Sequence, residues 1–295
     1  MLRLEDLAQL VEANREAIGA RVAEFSIGQT RFDFNSHPFL MGVINLSAES
    51  WYRESVCLSA SRAIERGMIL QAQGAHIVDI GAESTLAQAA RIDAARQDSQ
   101  LVPVVKGLRE RNILVSVETY HPSVTRACLE AGANVINLTG SAGSDEIYRL
   151  SAGHGAAVII CYVQGPNVRE VKEFDFGADP IGLMYDYFGR QIDLARKCGV
   201  EKILIDPGLG FYYRNLQDSA VRVRHQMRVF LNTFRLRTLS YPVCHALPHA
   251  FEFFGEEVRS AEPFFAMLAA LGRTDLFRTH EVAKTRAVLE TLGVY

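Results

Sequence analysis

The sequence contains no uncharged apolar run of the roughly 18 residues that a membrane-spanning helix requires. Its N-terminal segment, residues 1–19, is charged throughout, so it predicts an amphipathic helix and not a signal peptide. Positive charge is not in excess either, because 31 lysine and arginine residues face 34 acidic ones, for a formal net charge of −3. We therefore expect neither a membrane partner nor generic binding to nucleic acid. A local basic pocket for a small anion is still compatible with this net charge.

Cysteine is scarce and scattered, with five residues at positions 57, 128, 161, 198 and 244. The number is odd and no Cys-x-x-Cys pair occurs, so the pattern excludes a disulfide framework and a zinc knuckle. Free thiols are typical of a reducing compartment, and we therefore expect a cytoplasmic location.

Short apolar segments alternate with longer stretches of helical spacing from residue 39 onward. The apolar segments lack strict polar alternation, which is typical of parallel strands buried on both faces. They are Phe39–Asn45, Ile77–Ile80, Leu114–Glu118, Val135–Leu138, Ala157–Tyr162, Ile203–Asp206, Tyr241–His245 and Leu276–Arg278. The helical stretches between them include Ala60–Gln73, Asp93–Arg109, Pro122–Ala131, Ile181–Lys197 and Arg222–Thr233.

This alternation predicts an α/β protein, with a TIM (β/α)8 barrel as the leading architecture. The competitor is an open doubly wound sheet, which usually carries a glycine-rich phosphate loop after its first strand. The segment after the first strand here, Gly42-Val-Ile-Asn-Leu-Ser, does not match that loop. Residues 1–37 predict a helix and a hairpin over Phe25–Phe34, turning at Gly28-Gln29, that pack on a barrel formed by residues 38–295. The whole chain is expected to be one domain.

Polar side chains mark the end of nearly every predicted strand. In a (β/α)8 barrel the active site lies at the C-terminal ends of the strands, so these side chains are expected to converge on one rim. They are Asn45, Asp79, Glu118, Asn137, Tyr162, Asp206 and His245, followed by Arg278 and His280. Acids and amides suit a polar heterocycle, and arginine with histidine suits an anion.

The same strand ends carry motifs that resemble those of the dihydropteroate synthases and the wider pterin-binding family. In order they are MGVINLSAES (41–50), VDIGAEST (78–85), SVET (116–119), VINLTG (135–140), IDPGLGF (205–211) and FRTHEV (277–282). The resemblance covers roughly residues 38–290 and implies a TIM barrel, commonly a homodimer. It also implies a transferase that condenses 6-hydroxymethyl-7,8-dihydropterin diphosphate with an arylamine such as 4-aminobenzoate, releasing pyrophosphate with the help of Mg²⁺.

The resemblance assigns a pterin-binding set to this chain. Asp206 matches the family's carboxylate that accepts two bonds from the 2-amino pyrimidine edge. Asn137 both donates and accepts, which suits the mixed ring edge, and Asp79 belongs to the same set. Glu118 stands where the synthases have aspartate, so its extra methylene is expected to shift or tighten the pocket. His249 is expected about where the family places a lysine against the pterin.

A second set is expected to serve the diphosphate and the acceptor. Arg278 and His280 are two residues apart on the last strand, hence on one side of it, and match the family's anion clamp. Asn45 matches the residue near the diphosphate and its Mg²⁺, Thr85 matches another anion contact, and Phe211 lies at the acceptor side. Asn45, Arg278 and His280 are the expected catalytic residues, because loss of pyrophosphate leaves a pterin cation and the task is to stabilise separating charge.

The sequence departs from the family pattern mainly around the second substrate. The synthases carry Ser-Arg-Lys-Ser after strand seven, whereas this chain has His245-Ala-Leu-Pro-His249-Ala, without the lysine and the arginine. After Glu-Ser-Thr, Leu86-Ala87-Gln88 replace Arg-Pro-Gly. Trp51 lies in an altered first loop, as a stacking lid or a loop anchor. The histidine pair at 245 and 249 has zinc-ligand spacing, but Pro248 argues against a helix and the sequence offers no obvious third ligand.

Two other functions remain open at this point. A methyltransferase of the same superfamily, moving a methyl group from a methyl-tetrahydropterin, would share the acid–amide–acid set but have no use for the Arg278–His280 clamp. A pterin-binding paralogue without synthase activity, or with a different acceptor, would account for the missing lysine and arginine.

Overall fold

The described part of the chain forms ten strands, eight of them parallel and arranged in one closed barrel. The structure, a computed structural model, describes residues 1–50, 52–84, 89, 91–211 and 213–295. The strands are β1 (Phe25–Ile27), β2 (Thr30–Phe32), β3 (Phe39–Asn45), β4 (Ile77–Gly81), β5 (Val115–Thr119), β6 (Val135–Leu138), β7 (Ala157–Cys161), β8 (Ile203–Asp206), β9 (Cys244–Ala246) and β10 (Leu276–Thr279). Strands β3 to β8 pair in sequence order, β10 pairs with both β3 and β9, and a parallel bridge between Ile205 and Val243 closes the ring.

Helices surround the barrel and follow its strands. They are α1 (Leu4–Ala13), α2 (Ala60–Ala72), α3 (Ala94–Arg109), α4 (Pro122–Glu130), α5 (Ser144–Gly153), α6 (Pro180–Lys197), α7 (Ser219–Leu231), α8 (Thr233–Leu236), α9 (Phe251–Phe254), α10 (Ala261–Leu271) and α11 (Val282–Leu292). Asp93 and Asp218 cap α3 and α7 by accepting from backbone N–H groups of their first turns. None of the described helices is both long and apolar enough to cross a bilayer.

The predicted (β/α)8 barrel is confirmed, and the predicted strands agree with the structure to within one residue except for the seventh. We expected that strand at Tyr241–His245, whereas β9 covers Cys244–Ala246. Pro242 has no N–H to donate, and the N–H of Val243 bonds to the side chain of Asp275 at 2.7 Å. The regular ladder therefore starts later than the apolar pattern suggests.

The N-terminal hairpin covers the N-terminal end of the barrel, away from the rim where the strands end. Ile27 and Phe32 are buried, and the ring of Phe32 packs 4.6 Å from that of Phe39 at the start of β3. They belong to one apolar cluster with residues at the beginnings of the other barrel strands, including Leu114 and Leu276. The chemistry is therefore confined to the opposite, C-terminal rim. The division into residues 1–37 and 38–295 stays a prediction.

A buried ion pair ties this closed end together. Arg237, in a short 3₁₀ turn (Arg237–Leu239), is fully buried and pairs with Asp275, which precedes β10. The same guanidinium donates to the carbonyl of Ala20 at 3.4 Å, and the second oxygen of Asp275 accepts from the N–H of Val243. The pair thus connects the N-terminal segment to the last two barrel strands.

We predict that Arg237→Met lowers the free energy of unfolding by about 3–5 kcal/mol, because it leaves the buried Asp275 carboxylate without its charge partner. Arg235→Met is the matched control, since its ion pair with Asp179 is partly exposed and is expected to contribute at most about 1 kcal/mol. Urea unfolding followed by circular dichroism measures both variants. An equal decrease in the free energy of unfolding in the two variants would show that burial does not increase the contribution of the Arg237 ion pair to stability.

Candidate active site

A cavity of about 190 Å³ opens at the C-terminal rim of the barrel. Strand ends and the loops that follow them bring most of the sequence-predicted site residues to its wall. The predicted residues that line it are Asn45, Glu118, Asn137, Asp206, Phe211, His249, Arg278 and His280. Asp79 is fully buried next to them, where it bonds to Arg278 and Asn137. Thr85 lies outside the described residues, as do Trp51 and the Leu86–Gln88 substitution.

One guanidinium organises the bottom of the cavity. Nε of Arg278 donates to Oδ2 of Asp79 at 2.7 Å, and its Nη2 donates to Oε2 of Glu118 at 2.6 Å. Nδ2 of Asn137 donates to the same Asp79 oxygen at 3.2 Å. Burial disfavours the charged guanidinium, but Asp79 and Glu118 outweigh it and raise the pKa of Arg278. The arginine is therefore compensated by two acids inside the site, which the sequence did not show.

Two of the acids near this arginine, Glu118 and Asp206, have pKa values close to neutral pH. Burial raises the pKa of Glu118 to about 7, against the opposing effect of Arg278 and with a contribution from neighbouring Asp79. Burial raises the pKa of Asp206 to about 6, although the N–H of Gly208 and the charge of Arg278 oppose the rise. Removing water from a carboxylate disfavours its charged form. The cavity floor therefore carries acids that accept or release a proton in the physiological range.

Asp206 holds a tight turn and faces the cavity at the same time. Its Oδ1 accepts from the backbone N–H of Gly208 at 2.7 Å. Gly208 has φ of +72°, and a Cβ there would lie 2.4 Å from the carbonyl oxygen of Tyr162, so only glycine fits. The turn-forming role and the cavity-lining position of Asp206 thus coexist.

A second polar cluster lies on the cavity wall at the ends of β9 and β10. Nδ1 of His280 lies 2.7 Å and Nδ1 of His249 lies 3.5 Å from Oε1 of Glu262, a fully buried residue on α10. The ring of Tyr52 stacks on His280 with centroids 4.3 Å apart. Burial, together with the charges of His280 and Arg278, holds the pKa of His249 well below its ordinary value. His249 is therefore neutral at pH 7.

Two strand-end residues do not belong to the site. His245 is fully buried outside the cavity, with Nε2 2.8 Å from Oγ1 of Thr233 and its ring against Phe230. Burial lowers the pKa of His245 to about 3. Alternation along β9 turns its side chain toward the surrounding helices, so the expectation that it joins the rim is wrong. Tyr162 likewise packs on Tyr187 and is not among the residues lining the cavity.

The sequence analysis missed Glu262 and Tyr52. The signal for Glu262 was present, because it is the only charged residue in the otherwise apolar helix Ala261–Leu271. A lone acid among buried apolar residues requires partners and therefore marks a polar site. Tyr52 gave no such signal, since its position depends on how the first loop folds over His280.

The chain is a (β/α)8-barrel protein with an acid–amide–arginine site at the C-terminal rim. Comparison with known families identifies the family to which it belongs. The model of the family described as pterin binding enzyme matches residues 41–245, and the chain belongs to this family. Within it, the dihydropteroate synthase of Synechocystis sp. is 30% identical over 268 residues, covering 87% of this chain and 89% of that protein. The dihydropteroate synthase of Escherichia coli is 31% identical over 179 residues, covering 60% and 63%.

Solved structures give the same result for the fold. Dihydropteroate synthase of Xanthomonas albilineans with 4-aminobenzoic acid matches with a TM-score of 0.74 and 25% identity, over 90% of this chain and 94% of that chain. The Yersinia pestis dihydropteroate synthase in a sulfonamide drug complex matches with a TM-score of 0.77 and 22% identity, over 92% and 98%. The resemblance to dihydropteroate synthases that the motifs indicated is confirmed.

The raised pKa of Asp206 predicts that ionisation of this residue lowers the free energy of unfolding. Its folded pKa is about 6 against about 3.9 in an unfolded chain, a difference of roughly 3 kcal/mol. Because the ionised form is disfavoured in the fold, this penalty is present above pH 6 and disappears as the pH falls toward 4. Asp206→Asn is therefore expected to raise the free energy of unfolding by roughly 2–3 kcal/mol at pH 8, and by about 1 kcal/mol at pH 4.5.

Urea unfolding of the unliganded protein at the two pH values tests this expectation. Asn keeps an oxygen for the Gly208 N–H, so the turn is preserved. Asp193→Asn on the exposed face of α6 is the control and is expected to change neither value. A lower stability of Asp206→Asn at pH 8 would mean that the native partners of this carboxylate outweigh its burial.

Proposed function

We propose that this protein is a dihydropteroate synthase-like transferase. It condenses 6-hydroxymethyl-7,8-dihydropterin diphosphate with an arylamine such as 4-aminobenzoate and releases pyrophosphate. The observation that carries the proposal is the convergence of Asp206, Asn137 and Glu118 with Arg278 in one cavity at the barrel rim. Its relatives of nearly the same length bear the name of this activity.

The pterin half of the reaction uses the buried acids and the amide. Asp206 accepts from the 2-amino pyrimidine edge of the pterin, and Asn137 pairs with the mixed edge. Asp79 holds Asn137 and Arg278 in place by direct hydrogen bonds. Glu118, with a pKa of about 7, contacts the ring in either protonation state. His249 lines the same cavity and provides a neutral imidazole where the family has a lysine.

Cleavage of the bond to the diphosphate leaves a positive charge on the pterin and a negative charge on the leaving group. The site has residues that stabilise each of these charges. Asp79 and Glu118 pair with one guanidinium and Asp206 lies near it, so the floor favours the positive charge that develops on the pterin. Arg278 at the floor and His280 on the wall interact with the departing diphosphate. In this proposal Arg278 exchanges part of its contact with the acids for phosphate oxygens.

The residues present fit a magnesium ion at the diphosphate. Nδ2 of Asn45 donates to Oγ of Ser55 at 2.6 Å, which leaves Oδ1 as the ligand atom at the cavity. Mg²⁺ takes few protein ligands and completes its coordination with substrate phosphates and water. When bound, it neutralises charge on the leaving group. Asn45 would thus hold the ion, and Thr85 is proposed as a further anion contact.

The acceptor half is the most altered part of the site. Phe211 and Phe251 line the cavity near His249, so an aromatic amine meets apolar ring faces there. The proposal places the arylamine on this side, with Phe211 as its contact.

The proposal extends to assembly and location. The exposed apolar side chains of α10, Phe264, Met267 and Leu271, form a surface suited to a homodimer. The five cysteines are unpaired, and four of them are buried. They are consistent with a reducing, cytoplasmic compartment.

Pyrophosphate release from the dihydropterin diphosphate tests the function. The assay compares reactions with and without 4-aminobenzoate, and with and without Mg²⁺. We expect release that requires both, together with formation of the condensed pteroate product. Release without an amine would indicate hydrolysis, and no release under conditions where an authentic synthase turns over would contradict the proposal.

Arg278→Ala is expected to weaken binding of the pterin diphosphate by roughly 10- to 100-fold, the loss that corresponds to hydrogen bonds with charged groups. Arg222→Ala is the matched control, because Arg222 lines the same cavity but pairs with Glu252 at 2.8 Å. Isothermal titration of both variants, with circular dichroism to confirm folding, measures the difference. Wild-type affinity in Arg278→Ala would remove this residue from the diphosphate site.

A further inference from the structure

Three side chains of metal-ligand type meet on the cavity wall. His249 lies in the loop after β9, Glu262 on α10, and His280 directly after β10, and their donor atoms all lie within 4.8 Å of one another. We propose that these three residues form a binding site for one divalent transition-metal ion, with Zn²⁺ as its representative. The site goes beyond the proposed function, because metal binding here does not depend on which substrate the cavity takes.

The geometry around Glu262 is close to that of a metal centre. Zinc binds nitrogen and oxygen ligands at about 2.0–2.2 Å, so two ligands in a tetrahedral arrangement stand roughly 3.3 Å apart. Nδ1 of His249 lies 3.5 Å from Oε1 of Glu262, which matches this separation. Nδ1 of His280 lies 2.7 Å from the same oxygen and needs to open by roughly 0.6 Å to take an ion in place of a proton.

A hydrogen bond to Oε1 of Glu262 accounts for the position of His280 but not for that of His249. The 2.7 Å contact of His280 with Glu262 is a good hydrogen bond, whereas 3.5 Å from His249 to the same oxygen is too long for one. Two imidazole nitrogens and one carboxylate oxygen that lie within 4.8 Å of one another are close enough to share an ion placed between them. The structure therefore assigns Oε1 to the metal.

The other oxygen of Glu262 is fixed by three donors. Oε2 accepts from the hydroxyl of Thr279, from the N–H of His280 at 2.9 Å and from the N–H of Glu281 at 3.1 Å. These bonds set the plane of the carboxylate and leave Oε1 directed at the imidazoles. Such outer contacts are what orient a ligating carboxylate in established metal sites.

The buried position of Glu262 between two imidazoles also favours a bound cation. The residue is fully buried, and in the described part of the chain the only groups of basic type within 4.0 Å of its carboxylate are His249 and His280. Buried carboxylates are found paired with a base or coordinating a metal ion. A divalent ion bound by all three side chains supplies the opposite charge and leaves both rings neutral, as metal ligands are.

The aromatic wall holds both rings in position. Tyr52 stacks on His280 with an interplanar angle of 24° and on His249 with an angle of 30°. Its hydroxyl bonds to the carboxylate of Glu281, which also pairs with Arg259. The two imidazoles are therefore preorganised, which limits the cost of arranging them around an ion.

The donor set decides the class of metal. Two imidazole nitrogens and one carboxylate oxygen suit zinc and neighbouring transition metals, whereas Mg²⁺ and Ca²⁺ prefer oxygen ligands alone. This site is therefore distinct from the magnesium proposed at Asn45. Because His249 and His280 line the cavity, the open position of a three-ligand site faces the bound substrate.

Titration of chelator-treated, buffer-exchanged protein with Zn²⁺ alone tests the site. We expect one tight ion per chain by calorimetry and by elemental analysis after gel filtration. His249→Phe removes one ligand but keeps an aromatic ring against Tyr52, and its Kd is expected to rise at least tenfold, and on the order of 100-fold. His154→Phe, at the exposed end of α5, is the matched control and is expected to bind as the wild type.

Co²⁺ provides an independent readout, because nitrogen ligands in a low-symmetry site give visible absorption bands. These bands are expected in the wild type and in His154→Phe, and to be lost in His249→Phe and in Glu262→Gln. Wild-type affinity in His249→Phe, absence of a tight site in the wild type, or displacement of Zn²⁺ by millimolar Mg²⁺ would each overturn the proposal. Pyrophosphate release is measured separately, so failure of the metal site is distinguished from failure of the transferase proposal.

Discussion

Two carboxylates pair with one guanidinium at the floor of the cavity, a third lies near them, and the properties of the site depend on this buried cluster. Arg278 on β10 reaches Asp79 on β4 and Glu118 on β5, while Asp206 approaches from β8. Burial raises the pKa of Glu118 to about 7 and that of Asp206 to about 6, and the charge of Arg278 only partly opposes these rises. In the proposed function, this floor accepts the N–H donors of the pterin and stabilises the positive charge that develops on its ring.

The opposite wall of the cavity carries a different chemistry. The family resemblance places a lysine and an arginine in the loop after β9, whereas this chain has His249 there, next to His280 and the buried acid Glu262. An imidazole cluster around a carboxylate requires an added cation or proton, while a lysine brings its own charge. The altered loop after β9 and the lone acid of α10 therefore meet in one polar cluster. The cavity thus has an acid–amide floor with an imidazole–carboxylate cluster beside it.

Sequence and structure agree best where a residue's position follows from strand topology. Because parallel barrel strands end on one rim, Asn45, Asn137 and Asp206 could be placed together from the sequence. The start of β9 could not, because the N–H of Val243 bonds to the distant Asp275 side chain, a contact that no local pattern reveals. His245 faces the helices because side chains alternate along β9, where Ala246 lines the cavity.

The sequence by itself determined the barrel, the rim on which the chemistry lies, and membership in a family whose motifs occur in order. These properties depend on periodicity and on short motifs, which are local. Only the tertiary structure decided that Arg278 is held by two acids and that Glu262 meets His249 and His280. Those contacts join residues from separate strand–helix units, and their distances depend on how the closed barrel and its loops pack.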